Sequence, residues 1–295
     1  MRILFLCNRD LASNFALNLL LPSLTGHQLR VSLTERVGRI GTAECSERRE
    51  LLAAEQSTPN EILFPLIERA RFPDAHGRFL TFGEIARLRK IPVTTLANPN
   101  SEAGLEEVRA FGPDLILSVR YGAILKSELL SIPALGVLNL HSGLLPAYRG
   151  VLATFRALMN GDQEIGCTLH RISDGTIDTG AVIATGRVSV SPERSLLGHV
   201  LCLYPVGVEL IVHALKQLER RLPLEAVRQF AGEGQYFSYP GAAEWAEFTR
   251  RGMRVTDSAE LLGVYQRYLG TDSAGPQAAE PPAATGARAL PGGRL

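Results

Sequence analysis

The sequence predicts an α/β fold, a mostly parallel β-sheet with helices on both faces. Three observations carry this. Short apolar runs recur at 2–7, 28–34, 91–96, 114–119 and 136–141, each bounded by polar or turn residues. Stretches with apolar residues at helical spacing lie between them, the alternation that winds parallel strands through crossover helices. The chain has 295 residues, 45% hydrophobic and 21% charged, which is material for one large or two ordinary cores in a soluble globular protein.

Residues 2–7 read as a buried strand. Residues 12–24 follow as a helix, capped by Asp10 or Ser13, with Phe15, Leu19 and the later leucines at helical spacing. Residues 28–34 form a second strand. From 43 to 89 the chain is helical and charged, with an apolar stripe at Ile62, Leu63, Leu66 and Ile67; Pro65 inside it predicts a kink or a break. This reads as a helical insertion over about 40–88. A strand at 91–96 and a helix at 101–111 come next. Gly112-Pro113 turns the chain into the strand Asp114–Val119, and 136–141 is another strand.

Beyond it, 151–160 reads as a helix, and 165–172 and 181–190 as strands. Residues 195–219 form a long amphipathic helix with Leu196, Leu197, Val200, Leu203 and Leu210 among its apolar positions. An aromatic segment, Tyr236-Phe-Ser-Tyr239, precedes one more helix near 242–251. From 271 onward Ala, Pro, Gly and Thr leave almost nothing to bury, which predicts disorder. The expected organisation is a Rossmann-like domain over 1–220, a short C-terminal extension over 221–270 and a disordered tail over 271–295. No internal repeat is visible.

A formal net charge of +1 offers no basic field for nucleic acid and no acidic one for cationic partners. Cys7, Cys45, Cys167 and Cys202 lie far apart without metal-ligand spacing, and no metal is expected. Cys7 and Cys167 fall in apolar strand sequence and read as buried, inert thiols. The N-terminal apolar run is too short for a signal peptide. No apolar run approaches the roughly 20 residues that span a bilayer. A cytoplasmic protein with no membrane partner is the expectation.

The chemistry concentrates in Gly136-Val-Leu-Asn-Leu-His-Ser-Gly-Leu-Leu-Pro-Ala-Tyr-Arg-Gly150 and Asp174-Gly-Thr-Ile-Asp-Thr-Gly180. Asn139 and His141 end a strand, where parallel sheets bind ligands. Two residues apart, they point to one face and can reach one atom. Moving an acyl group between nitrogens puts negative charge on oxygen, which an amide N–H and an imidazolium can stabilise. A carboxylate such as Asp178 can take the proton that an attacking amine loses. Taken singly, Asn139 would be a turn residue and His141 a structural histidine. The joint pattern favours catalysis.

Here the residues resemble a known family. Asn139-x-His141, Leu144-Leu145-Pro146, Arg149-Gly150 and Asp178-Thr179-Gly180 look like the catalytic core of the formyltransferases that use 10-formyltetrahydrofolate. The resemblance is strongest over 136–190 and weaker over 1–35 and 90–220. It implies an N-formyltransferase with Asn139, His141 and Asp178 as its catalytic set and 10-formyltetrahydrofolate as co-substrate. It further implies a pterin held largely by backbone at Tyr121, Gly122, Ala123, Ile124 and Leu125 and by the loop with Asp174 and Gly175. The chain departs in reading His141-Ser142-Gly143-Leu-Leu-Pro where many relatives read His-Gly-Ser-Leu-Leu-Pro or His-Pro-Ser-Leu-Leu-Pro. Its 40–88 insertion is longer than in compact relatives.

The expected acceptor is the primary amine of a small molecule, an aminosugar nucleotide or an amino-acid-derived metabolite. Relatives acting on aminosugars share the strand type Gly166-Cys-Thr-Leu-His-Arg171. Residues 222–270 hold few strand runs and are not notably basic, unlike the C-terminal β-barrel of the methionyl-tRNA enzymes, which argues against tRNA. A methionyl-tRNA formyltransferase, a formyltetrahydrofolate hydrolase and a non-catalytic folate-binding module stay open as alternatives. Asn8 and Arg9, before a helix N-terminus that attracts anions, and Ser142, Tyr148 and Arg149 are candidate substrate contacts; for Arg9, Tyr148 and Arg149 the competing readings are a solvated or packed loop. His170 reads as strand decoration, with the site edge as the alternative, Asp174 as a turn residue, and 236–239 as packing, with a stacking platform as the alternative. The long helix or the aromatic segment could also serve a homodimer face.

Overall fold

The computed structural model describes residues 1–34, 45–72, 77–230 and 232–271. The tail expected to be disordered, apart from Thr271, and the start of the insertion lie outside the described residues. In chain order the elements are β1 (Arg2–Asn8), α1 (Leu11–Leu20), β2 (Gln28–Thr34), α2 (Ser46–Leu52), α3 (Phe64–Ala70), α4 (Phe82–Arg89), β3 (Val93–Thr95), α5 (Glu102–Phe111) and β4 (Leu115–Val119). Then follow α6 (Ser127–Leu130), β5 (Val137–His141), β6 (Tyr148–Gly150), α7 (Ala153–Asn160), β7 (Glu164–Ile172) and β8 (Val182–Ser189). The chain continues through α8 (Leu196–Glu219), β9 (Gln235–Phe237), α9 (Ala242–Arg250) and α10 (Ser258–Leu269).

One seven-stranded sheet runs β3-β2-β1-β4-β5-β7-β8. Its first five strands are parallel; β7 and β8 join antiparallel. The expected mostly parallel sheet is therefore present, with an antiparallel edge. One face carries a core of Leu4, Leu6, Ile116 and Val137 under Leu105, Val108 and Phe111 of α5 and Leu129 of α6. The other face is larger, with Phe5, Leu117 and Leu138 under α1, α7 and α8. Trp245, Phe248 and Tyr268 from the C-terminal helices join this second core. Phe155 sits 4.6 Å from Trp245 and 4.9 Å from Phe248, centroid to centroid.

Helix α8 is long and apolar enough to cross a membrane, contrary to the expectation that no such run exists. It packs instead along α1, β7 and β8, and most of its apolar side chains are buried in the core. A helix that is hydrophobic over most of its circumference suits the interior as well as a bilayer.

Pro65 does not break the insertion. Residues 46–70 form a continuous helical run in which α2 passes into a π-helical stretch at Ala53–Leu63 and then into α3. Pro65 lands in the first turn of α3, where its missing N–H costs least, and Pro59 sits inside the widened turns.

Candidate active site

The ends of β1, β4 and β5 meet on one side of the sheet. Asn139 pairs with His170 across β5 and β7, and His141 with Thr168. Directly opposed residues of an antiparallel pair share a face, so β7 delivers His170 beside Asn139. The Asn139 amide Nδ2 lies 3.0 Å from His170 Nε2. Asp178 arrives on the loop between β7 and β8, held at φ 55° in the left-handed region. Its carboxylate lies 3.6 Å from His141 Nδ1 and 3.5 Å from His170 Nε2. It accepts the Gly150 N–H at 2.8 Å. The three expected catalytic residues are thus in one cluster, with His170 as a fourth member.

The outer ring nitrogens settle the tautomers. His141 Nε2 lies 2.6 Å from the Tyr148 carbonyl and His170 Nδ1 lies 3.0 Å from the Arg171 carbonyl. A carbonyl only accepts, so each ring carries a proton there and turns its other nitrogen towards Asp178. Burial by itself would raise the Asp178 carboxyl. The charge of His141, the hydrogen bond and charge of His170 and the Gly150 N–H outweigh it and bring it down to about 2. Asp178 stays ionised beside both rings, and the Asn139 amide donates to His170 Nε2.

Gly143 explains the displaced serine. A Cβ on Gly143 would lie 2.5 Å from Ala153 Cβ, 2.8 Å from His141 Nε2 and 3.0 Å from the Tyr148 carbonyl. Any side chain there would push apart the bond that orients His141, so the hydroxyl has to sit at 142.

A cavity of about 240 Å³ opens over the cluster. Its walls include Asn139, His141, Asp178 and Ser142, the run Tyr121, Gly122, Ala123, Ile124 and Leu125, and Asp174 and Gly175. Ile124 and Gly175 face each other; a Cβ on Gly175 would lie 3.9 Å from Ile124 Cγ2. Together with Leu125, Ile172 and Ile177 they make an apolar slot edged by backbone. Asp174 accepts from the Thr176 hydroxyl and, at 2.8 Å, from the Thr176 N–H; these turn-forming bonds hold its carboxyl below the usual range. Among the described residues no group of three or more His, Cys, Asp or Glu side chains is placed to hold a metal ion.

The structure does not bring Asn8, Arg9, Tyr148 or Arg149 to the cavity wall. Asn8 is buried and donates to Asp10 at 2.9 Å, and Arg9 Nη2 reaches Thr95 at 3.3 Å. They serve the loop between β1 and α1. Tyr148 donates through its hydroxyl to Asp162 at 2.6 Å and stacks on Phe237. Its service to the site is its backbone carbonyl under His141. Arg149 pairs with Tyr236 in the two-stranded sheet of β6 and β9. The loop-packing reading holds for both.

The aromatic segment 236–239, read from the sequence as packing, puts Tyr236 and Tyr239 on the cavity wall, and Arg120 lines it beside the run 121–125. Arg48 and Glu55 also line the cavity and had no sequence signal. Gln229 stands just behind it. Its amide Nε2 donates to the carbonyls of Asp178 at 2.9 Å and Gly180 at 2.7 Å. Val227 and Val182 exchange two backbone bonds of 2.8 Å beside it. The segment 222–239 therefore straps the loop that carries Asp178. His170 alone could have been found earlier, because it shares the two-residue strand period with Thr168.

Residues 53–198 match the family model described as formyl transferase. The methionyl-tRNA formyltransferase of Kosmotoga olearia is 35% identical over 137 residues, 46% of this chain and 43% of that enzyme. The chain spans half or less of the length of the curated relatives it matches. A 4-N formyltransferase of Francisella tularensis superposes with a TM-score of 0.53 at 14% identity, covering 84% of this chain and 79% of that one. The N-formyltransferase of Helicobacter canadensis, solved with folinic acid and dTDP-3-aminofucose, gives 0.52 at 16% identity, covering 91% and 81%. At such identities the likeness to the solved structures is one of fold. The sequence match over 53–198, just under half of the chain, makes that stretch similar to the formyl transferases.

Proposed function

We propose that the protein transfers the formyl group of 10-formyltetrahydrofolate to the primary amine of a small molecule. The observation that carries this is the cluster of Asn139, His141, His170 and Asp178 at the end of β5, opening into one cavity. The slot between 121–125 and 173–178 suits a flat heterocycle whose edge takes backbone hydrogen bonds. The folate substrate supplies an activated formyl carbon. As the amine attacks it, negative charge gathers on the formyl oxygen. Asn139 Nδ2 and the Asp178-facing nitrogen of a protonated His141 are the donors for that oxygen. Asp178 passes on the proton released by the amine, directly or through water.

A small amine is favoured by the further lining of Arg48, Glu55, Tyr236 and Tyr239 around the cavity, and by a net charge of +1. Residues 222–271 fold as a strap and two helices over this domain's own core. The curated relatives favour methionyl-tRNA as a second reading. The test is a panel of aliphatic, aminosugar-nucleotide and amino-acid amines, with methionyl-tRNA alongside, incubated with 10-formyltetrahydrofolate and read by mass. A formylated small amine is expected. Formylation of methionyl-tRNA alone would overturn the acceptor class, and formate release with no formylated product would replace transfer by hydrolysis.

A further inference from the structure

The same cavity holds a further carboxylate in an unusual setting. Glu55 is 5% exposed and yet lines the cavity. It stands in the first turn of the π-helical stretch Ala53–Leu63, a geometry that is rare and concentrates at functional sites. Its Oε1 accepts from Arg120 Nη2 at 2.9 Å. Arg120 sits at φ 56°, in the left-handed region that a non-glycine residue seldom adopts, and such strain also collects at working sites. The same guanidinium donates through Nε to Asp10 at 3.2 Å. Asp10 is already satisfied by the Ser13 N–H and the Asn8 amide. One arginine thus serves two carboxylates, and only Glu55 faces the cavity. The other groups around Glu55 are Tyr204 of α8, Tyr239 of the strap, and Arg48, whose guanidinium lies 5.2 Å from the Tyr239 ring centre.

Formyl transfer to an aliphatic amine has an unmet requirement. Such an amine arrives as an ammonium and must lose a proton before it can attack. Asp178, locked between two histidines and a backbone N–H, is too weak a base for this. We infer that Glu55 receives the acceptor's ammonium group and takes its proton before attack, so that this cavity selects protonated aliphatic primary amines. This rests on the formyl-transfer reading. The step balances: Glu55 carboxylate and R–NH₃⁺ become Glu55 carboxylic acid and R–NH₂, and the nitrogen lone pair then forms the new C–N bond. The second nitrogen proton leaves through the Asp178 side to the departing folate nitrogen. With Glu55 ionised, Arg48, Arg120, Asp10 and Glu55 sum to zero, and the bound ammonium adds one positive charge. Moving the proton to Glu55 keeps that sum, so no net charge is created in the buried site. Burial raises the Glu55 carboxyl to about 7, against the pull of Arg120 and with the push of Asp10. That is a poise suited to general-base work near neutrality.

The test has two arms. In the first, the protein labelled with [5-¹³C]glutamate is titrated by NMR, with Glu55 assigned by its disappearance in Glu55→Gln. Its midpoint is expected near 7 and falls on adding methylammonium chloride but not potassium chloride at equal ionic strength. A midpoint that ignores methylammonium overturns the inference. In the second, kcat/KM for the best amine of the panel is measured from pH 6 to 10. Glu55→Gln, which keeps an oxygen for Arg120, loses about 100-fold near pH 7, and the deficit shrinks at high pH where the free amine is present in solution. Glu55→Asp retains the wild-type pH profile at a lower rate, which separates the role from a folding defect. Equal profiles for wild type and Glu55→Gln overturn the role of Glu55 and leave formyl transfer standing. A panel without any formylated amine sinks formyl transfer, and the NMR arm then decides the ammonium site by itself.

Discussion

Asp178 and Glu55 are two cavity carboxylates that their neighbours push in opposite directions. Asp178 is lowered from 3.8 to about 2. Its contribution to stability is present above the unfolded value and is lost as pH falls through the folded one; two pKa units correspond to about 2.7 kcal/mol. Glu55 is raised from 4.5 to about 7. Its contribution is fully present below the unfolded value and is lost as pH rises through 7. Glu55→Gln should therefore gain on the wild type by roughly 1–3 kcal/mol between pH 5 and pH 8, read from urea unfolding at both. A difference independent of pH would contradict the raised carboxyl. A buried acid that costs stability at neutral pH is the kind of defect a functional site retains. Asn139, His141 and Asp178 were legible in the sequence because strand period and short motifs fix them. Glu55, Arg120 and Gln229 were not, because helix packing and a long-range strap bring them in. The exchange of Ser142 and Gly143 became intelligible only when His141 was seen to pack against position 143.

At the scale of elements, the β7–β8 loop and the 222–239 strap act as a unit. Gln229 spans the carbonyls of Asp178 and Gly180, and β9 lies along β6, whose Gly150 N–H holds the Asp178 carboxylate. A small displacement of a reacting group is costly. Gln229→Ala should lower kcat by about 10- to 100-fold while leaving KM for the folate substrate within a few-fold. An unchanged kcat would show that the loop holds itself. Gly234 at φ 70° passes so close to Pro146 that a Cβ would lie 1.6 Å from its carbonyl oxygen. Gly234→Ala should lift β9 off β6 and lower the melting temperature. An unchanged melting temperature would contradict that close approach. The seven strands of the main sheet and the helices α5, α7, α8 and α9 were readable from periodicity within a residue or two, whereas β6 and β9 were not read as strands and α1 ends four residues before the expected helix. The π-helical turns and α10 were not, since no local pattern separates a widened turn from an ordinary one, and the buried Tyr268 on α10 finds its partners only in the folded core.

For the whole molecule, the sheet order determines where chemistry can occur. The parallel β1, β4 and β5 end together, the antiparallel β7 adds His170 from the opposite direction, and the loop back to β8 returns Asp178 to the same point. Residues of the helical run 46–70 and of the strap complete the lining of the cavity at these strand ends. The central claim is that Asp178 works in the chemistry and not in holding the folate. Asp178→Asn keeps the size and one hydrogen-bond acceptor while removing the charge. Turnover with 10-formyltetrahydrofolate and the best amine, measured beside 5-formyltetrahydrofolate binding by calorimetry, tests it directly. A loss of at least about 100-fold in kcat with folate affinity nearly intact is the predicted result. Retained turnover, or folate binding that fails together with turnover, would contradict the account.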